Sequence, residues 1–454
     1  MPDPLSSKRH FITTFRRPIG AWLRRATGYE VVSPAPPNKN NPYLLISNHV
    51  SVYDVAYALL QLQEMPVIVI HEIFQRNPVL AWLLRPFGLI WKQADLHDGK
   101  TIRQMKRAAA AGRSILLYPE GDLTWDGDTG ALPDSLVKLV KYIGLPVVLL
   151  TEKGAYMTYS RWAGKVRKGL VELHFRPCIS KEELSSVDEG TLAGRLRAAF
   201  RHSERGWLAS KQPPPSYATG FQARDLSKML FMCPACRKAG SMTNTDTSIS
   251  CLNCGFSSRI GPLLELDEAA ARMTGMKDIW QWHSWQKSET REQVEATLKD
   301  GSFMLAADVK KAELIRAIGG IGRIVTKAGF HSRYLKRPEK ASAFKATLNP
   351  DCLRVTDAIG NERLRIGVDM MLSARVLPMR NYRPNWLLIC TKEGYYKLMF
   401  EGPTHPAYLW CTALRIMIGQ TDAYSQGEAG IGSAAPQASA GPGPDAQNDQ
   451  GRHL

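Results

Sequence analysis

The chain has 454 residues, with 59 Lys and Arg against 42 Asp and Glu, a formal net charge of +17. That length supports two or three domains with cores of their own, and no internal repeat suggests a solenoid or propeller. The positive balance points to an anionic partner, either nucleic acid or an anionic membrane surface. No apolar run approaches the ~18 residues of a spanning helix, and the N-terminus lacks the apolar core and cleavage site of a signal peptide.

Residues 1–30 carry Lys8, Arg9, Arg16, Arg17, Arg24 and Arg25 against Asp3 and Glu30. Ile12, Phe15, Ile19, Trp22 and Leu23 share one helical stripe, with Arg17, Arg24 and Arg25 on the other side. This pattern predicts a basic amphipathic helix lying in a membrane interface, kinked at Pro18 or starting near it. The competing reading packs the same apolar stripe on the chain's own core.

Tyr43-Leu44-Leu45-Ile46 reads as a short buried strand and Val52 to Gln63 as a helix, with Ser51 as its N-cap and Asp54 in the place of a capping-box acid. His49 then falls in the tight turn between them. Five residues of regular helix rotate by about 500°, so His49 meets Asp54 only if the turn folds it back. In that geometry His49 takes a proton from a hydroxyl, and Asp54 fixes the ring tautomer and stabilises the imidazolium. The bland alternative is a helix cap beside a loop histidine.

Pro78 to Phe87 is apolar but too short to span, and is read as core or as an acyl-chain entry. A helix from Thr101 to Ala111 leads into a strand, Ser114 to Tyr118, that stops at Pro119-Glu120-Gly121. Such a strand end presents a carboxylate and freed amides where open α/β sheets place ligands. An ordinary strand-ending turn would use the same residue types.

The His-x4-Asp element followed by a hydrophobic strand ending in Pro-Glu-Gly resembles the glycerolipid acyltransferase family, whose best-known members acylate lysophosphatidic acid. The resemblance covers about residues 31–212. It implies an acyl thioester donor, acyl-CoA or acyl-ACP, whose acyl group the acceptor hydroxyl attacks directly with His49 as base and Asp54 as its partner. It also implies that Glu120 helps hold the polar acceptor and that Gly121 lets the backbone come close. The family's second motif ends in an aspartate and a phosphate-binding arginine. Here Gly88-Leu89-Ile90-Trp91-Lys92-Gln93-Ala94 places Gln93 and Ala94 there, so Lys92 or Arg85 is the candidate phosphate ligand. The fourth motif resembles Gly144 to Leu150, with Leu149 where a second proline is usual. A lysophospholipid, 1-acylglycerol-3-phosphate first, is the expected acceptor. The expected setting is the cytoplasmic face of a membrane, peripheral or monotopic, with acyl carrier protein as a further partner.

Gly169 to Phe175 alternates as a final strand ending at Pro177. Alternating strands and helices predict an α/β acyltransferase domain, a mixed sheet flanked by helices. Residues 213–228, opening with Pro213-Pro214-Pro215 after Gln212, read as a stiff linker.

Cys233-Pro234-Ala235-Cys236 and Cys251-Leu252-Asn253-Cys254 form two knuckles within residues 229–258. Four thiolates at this spacing predict a tetrahedral structural zinc in a ribbon, with no open position for chemistry. Nothing marks the chain as secreted, which argues against disulfides. A non-catalytic protein binding lipid or nucleic acid through the ribbon and the basic surface is the alternative function. From Ala239 to Ser250, however, the sole charge is Asp246, whereas a phosphate-binding hairpin would be basic.

Residues 259–424 read as a Trp280/Trp282/Trp285 helix, then short alternating strands including 344–348, 353–355, 387–390 and 395–400. A helix from Ala407 to Ile418 closes this mainly β domain, which resembles a pleckstrin-homology-like barrel. The tail 425–454, rich in Gly, Ala, Pro and Gln, is expected to be disordered.

Overall fold

The computed structural model describes residues 16–71, 88–92, 99–316, 334–335, 344–377, 386–392, 394–400, 404 and 406–420. Arg85, Gln93, Ala94, the Pro78–Phe87 segment, Ile12, Phe15 and the tail from Ser425 lie outside the described residues. The first part of the chain runs α1 (Arg16–Thr27), β1 (Tyr29–Ser33), β2 (Leu44–Ser47), α2 (Asp54–Gln61), β3 (Val67–His71), β4 (Leu89–Lys92) and α3 (Gly99–Ala110). It continues with β5 (Ile115–Leu117), α4 (Ser135–Ile143), β6 (Val147–Lys153), α5 (Ala155–Tyr159), β7 (Val171–Ile179), α6 (Lys181–Ser186), α7 (Glu189–Phe200) and α8 (Glu204–Ala209).

These strands form one seven-stranded sheet in the order β1-β7-β6-β2-β5-β3-β4. The β6–β7 pair is antiparallel and the other pairs are parallel, so the sheet is mixed, as the sequence predicts. Every residue of β2 is buried, which fits a central strand covered on both faces. Leu44 and Ile46 pack with Met105 of α3, Val137 and Val140 of α4 and Leu196 of α7. Leu45 faces the opposite core with Tyr57 and Ala58 of α2. The pleat thus sorts one strand's side chains into two cores.

α1 divides its residues differently from the sequence reading. Leu23 is buried in the domain core, whereas Ile19 and Trp22 remain 45% and 58% exposed. β1 starts at Tyr29 and pairs with β7 from its first residue, so the sheet begins before the expected boundary at 31.

The segment 213–228 is not a bare linker. Tyr217, Ala223 and Leu226 are buried, and the Tyr217 hydroxyl donates to Leu170 O at 2.8 Å. Its prolines predict a stiff linker, but its apolar residues join the core. Next come β8 (Met242–Asn244), β9 (Ser248–Cys251) and β10 (Ser257–Arg259), a three-stranded sheet with β9 central. Then follow α9 (Glu268–Thr274) and α10 (Ile279–Lys299). Trp282 of α10 is fully buried, its indole N–H donating to Met232 O at 2.9 Å.

The third sheet is formed by β11 (Leu305–Arg316), β12 (Tyr334–Leu335), β13 (Phe344–Leu348), β14 (Cys352–Thr356), β15 (Glu362–Gly367), β16 (Met371–Val376), β17 (Trp386–Thr391) and β18 (Gly394–Phe400). Its order is β15-β14-β13-β11-β18-β17-β16, with β12 on β11, and all pairs are antiparallel. α11 (Ala407–Met417) packs a buried face on it. This C-terminal part is β-rich, as expected. Core residues run without a break from Leu45 through Phe231 and Trp282 to Leu398 and Trp410. Among the described residues no helix is long and apolar enough to cross a membrane.

Candidate active site

β2 ends at Ser47, and the chain turns through Asn48 to Tyr53 before α2 begins at Asp54. Asn48 anchors this turn to β6. Its side chain donates to Glu152 O at 3.0 Å and accepts from Glu152 N at 2.9 Å. The turn brings His49 Nδ1 to 2.9 Å from Asp54 Oδ2. The same oxygen accepts the amides of Val50 at 2.7 Å and Ser51 at 3.0 Å. The Ser51 contact is half of the expected capping box, but the N-cap position is Tyr53, without a side-chain cap. The carboxylate reaches back over the turn instead, and the helix starts two residues later than expected.

Asp54 is fully buried and the His49 side chain is 24% exposed. A carboxylate already taking two amide protons demands a donor from the ring, so the proton sits on Nδ1. Nε2 is then the nitrogen with a lone pair for a substrate proton. The Tyr118 ring lies 4.4 Å from the imidazole centroid to centroid.

Glu120 follows β5 at the carboxyl end of the sheet. Its Oε1 accepts His49 N at 3.0 Å and its Oε2 accepts Gly130 N at 2.9 Å. Thr124 N donates to His49 O at 2.9 Å. The Pro-Glu-Gly loop therefore clamps the histidine backbone from both sides. Burial is the main cause that pushes the Glu120 carboxyl up to about 8. Its two amide donors oppose this, while Asp54 and Asp126 add to it. Gly121 adopts φ +71 with open space where a side chain would go, so its conformation, not crowding, calls for glycine.

Residues beyond the notable motifs complete the loop. Arg161 pairs with Asp122 at 3.1 Å, donates to Leu123 O and reaches Val376 O of β16 at 2.7 Å. Arg375 of β16 donates to Gly121 O at 3.1 Å. Burial raises the Asp122 carboxyl, but Arg161, Arg375 and Arg415 outweigh it and hold it below the ordinary range. Asp126 meets His283 of α10 at 3.3 Å, and His283 Nε2 lies 2.9 Å from the Tyr408 hydroxyl of α11. The links through Val376, Arg375, His283 and Tyr408 each span more than a hundred residues of sequence, and those of Arg161 to Asp122 and Leu123 nearly forty, so no local pattern signals them.

Lys92 ends β4, which β5 and β3 separate from β2. Three strand spacings put it about 14 Å from the His49 turn. The other candidate phosphate ligand, Arg85, lies outside the described residues.

Around the three-stranded sheet, Cys233, Cys236, Cys251 and Cys254 gather their sulfur atoms within 4.8 Å of one another. Cys233 Sγ and Cys254 Sγ are 3.7 Å apart, and Cys236 Sγ and Cys251 Sγ 3.8 Å. A tetrahedron with Zn–S bonds of about 2.3 Å has edges of about 3.8 Å. These separations fit a tetrahedral metal and exceed the ~2.05 Å of a disulfide.

A family model described as Acyltransferase matches residues 25–150. Among solved structures, the chain is similar to the 1-acyl-sn-glycerophosphate (LPA) acyltransferase PlsC from Thermotoga maritima. That likeness has 18% identity and a TM-score of 0.37, and covers 44% of this chain and 79% of that one. The span 25–150 that the family model matches holds the His49–Asp54 pair and Glu120.

Proposed function

We propose that this protein is a membrane-surface O-acyltransferase that moves an acyl group from an acyl thioester to a lysophospholipid hydroxyl. The observation that carries the reading is the 2.9 Å contact between His49 Nδ1 and a buried, triply bonded Asp54 carboxylate. With Nδ1 so engaged, Nε2 accepts the acceptor's hydroxyl proton as its oxygen attacks the thioester carbonyl. The tetrahedral intermediate collapses by breaking the C–S bond, and the imidazolium returns the proton to the departing thiolate. Asp54 stabilises that imidazolium. Glu120 holds the His49 backbone in place, and its family role in acceptor binding acts through the same loop.

The membrane setting rests on where the exposed apolar residues lie. Trp22, Ile19 and Val52 are exposed, and the Trp22 ring sits 6.4 Å from Tyr53 in the catalytic turn. Arg17, Arg24 and Arg25 are exposed on the same helix. An aromatic with flanking cations suits the headgroup region of the cytoplasmic leaflet. 1-Acylglycerol-3-phosphate is the first acceptor proposed, with acyl-CoA or acyl-ACP as donor. The four cysteines hold a structural zinc in this reading.

Purified protein incubated with labelled lysolipids and each donor in turn tests it, with His49→Ala as control. Acyl transfer to a lysophospholipid that disappears in the variant supports the proposal. No transfer to any acceptor from either donor overturns it.

A further inference from the structure

A second carboxyl group is buried behind the His49–Asp54 pair. Glu152 lies in β6 with no exposed surface, its backbone tied on both sides to the Asn48 side chain. Its side chain is set against Asp54. Asp54 Oδ2 has three N–H donors, whereas Asp54 Oδ1 and both Glu152 oxygens have none among the described residues. The nearby Ser47 hydroxyl donates to Asn48 O at 3.1 Å.

Two facing carboxylates would each present lone pairs to the other, and burying both as anions is strongly unfavourable. One shared proton removes the conflict and supplies the absent hydrogen bond. It belongs on Glu152, because two backbone amides and the imidazole stabilise the Asp54 anion and no backbone amide reaches Glu152. Burial first, and Asp54 second, push the Glu152 carboxyl well above the ordinary range, with only the Ser47 hydroxyl opposing them. The direction agrees with the hydrogen-bond geometry.

We infer that Glu152 is a neutral carboxylic acid donating to Asp54 Oδ1, a positioning residue that fixes the Asp54 carboxylate and sets the charge felt by His49. Its consequence for turnover rests on the acyl-transfer reading; its consequence for the imidazole does not. The other titratable groups facing the pair are Glu120, Tyr53 just before α2, Tyr57 of α2, and Tyr118 just after β5. Burial raises the three tyrosines above their ordinary value, so they stay protonated near neutral pH. Glu120 is common to every variant and cancels in comparisons.

The test is a pH titration of the His49 ring by NMR in full-length protein with labelled imidazoles, the signal assigned with His49→Gln. Glu152→Gln keeps a neutral donor, so the midpoint should stay within about 0.3 unit of wild type and turnover within about threefold. Glu152→Leu removes the donor and leaves the Asp54 charge less compensated. Its midpoint should rise by about half a unit or more, with turnover down about tenfold or more. An ionised Glu152 would hold the ring about one unit higher, so a fall of about one unit in Glu152→Gln overturns the inference. A folded Glu152→Leu with the wild-type midpoint also overturns it. Failure of the functional proposal would appear separately, as absent acyl transfer in wild type while the titrations follow the expected order.

Discussion

Asp54→Asn is the sharpest test of the dyad, because it removes one charge and almost no volume. In the folded protein the Asp54 oxygen lies 2.9 Å from His49 Nδ1, which puts the centres of the two charged groups about 4 Å apart once the ring is protonated. The ring is partly open to solvent, so an effective dielectric constant near 20 is appropriate, giving about 4 kcal/mol. That stabilisation exists only after the proton moves, and its loss converts to about a thousandfold in rate. An asparagine that turns its NH2 toward the ring would also favour the wrong tautomer and deepen the loss.

The fold should survive. With its oxygen in the place of Oδ2 the amide still accepts from Val50 N and Ser51 N, so in that orientation the stability cost should be about 1–2 kcal/mol. The assay is transfer of a labelled acyl group to 1-acylglycerol-3-phosphate in mixed micelles, with kcat/KM measured for wild type, Asp54→Asn, His49→Ala and the double variant. The two single losses should not add, since they disable one unit. A folded Asp54→Asn within about tenfold of wild type would refute the role assigned to the carboxylate.

Glu120→Gln bears on stability against pH. The folded Glu120 carboxyl, pushed up to about 8 from 4.5, binds its proton more tightly than in the unfolded chain. Its contribution is therefore full below the unfolded value and is lost as pH rises through the folded one. Urea unfolding at pH 5 and pH 8 should show a smaller drop for Glu120→Gln than for wild type, and equal drops would contradict the assignment. Elemental analysis of protein purified under reducing conditions should find one zinc per chain, and chelation should lower the Tm because Cys233 and Cys251 sit in the continuous core. Absence of stoichiometric metal would remove the zinc. Trp22→Ala with Ile19→Ala should weaken co-sedimentation with anionic liposomes, and added salt should weaken it further without abolishing it. Unchanged binding would take α1 out of the interface.

The candidate site and the cysteine cluster are legible in the sequence because their pieces are local. His49 and Asp54 belong to one turn, Glu120 closes one strand, and the four cysteines come in two knuckles. Phe344 to Leu348 was read as a strand and is one, since alternating burial leaves a period of two in the chain. What stayed hidden is non-local or polar where a pattern expects apolar. Glu152 stands in Thr151-Glu152-Lys153, which reads as the polar end of a strand, and only the fold places it against Asp54. The amphipathic stripe of α1 was visible, but the direction each residue faces was not. Leu23 turns inward while Trp22 stays out, because β1 and α2 occupy one side of that helix. The proline run misled for a related reason: composition registers stiffness, and burial of Tyr217 depends on a partner 47 residues away.

The contacts around the Pro-Glu-Gly loop join the chain's three parts at one place. Gly121 O is held by Arg375 from the third sheet. Asp122 answers Arg161, which also reaches Val376. Asp126 meets His283 on the helix that follows the ribbon, and Trp280 Nε1 donates to Asp126 O at 2.6 Å. The same short loop supplies Glu120 to His49 N and Thr124 to His49 O. A loop closing an open α/β sheet is ordinarily a mobile element. Here it is braced from outside the α/β domain by charged and buried contacts, each of which weakens if its partner is removed. The helix Ile279–Lys299 and the C-terminal sheet thereby bear on the His49 turn: they restrict the positions open to the loop that holds the histidine backbone.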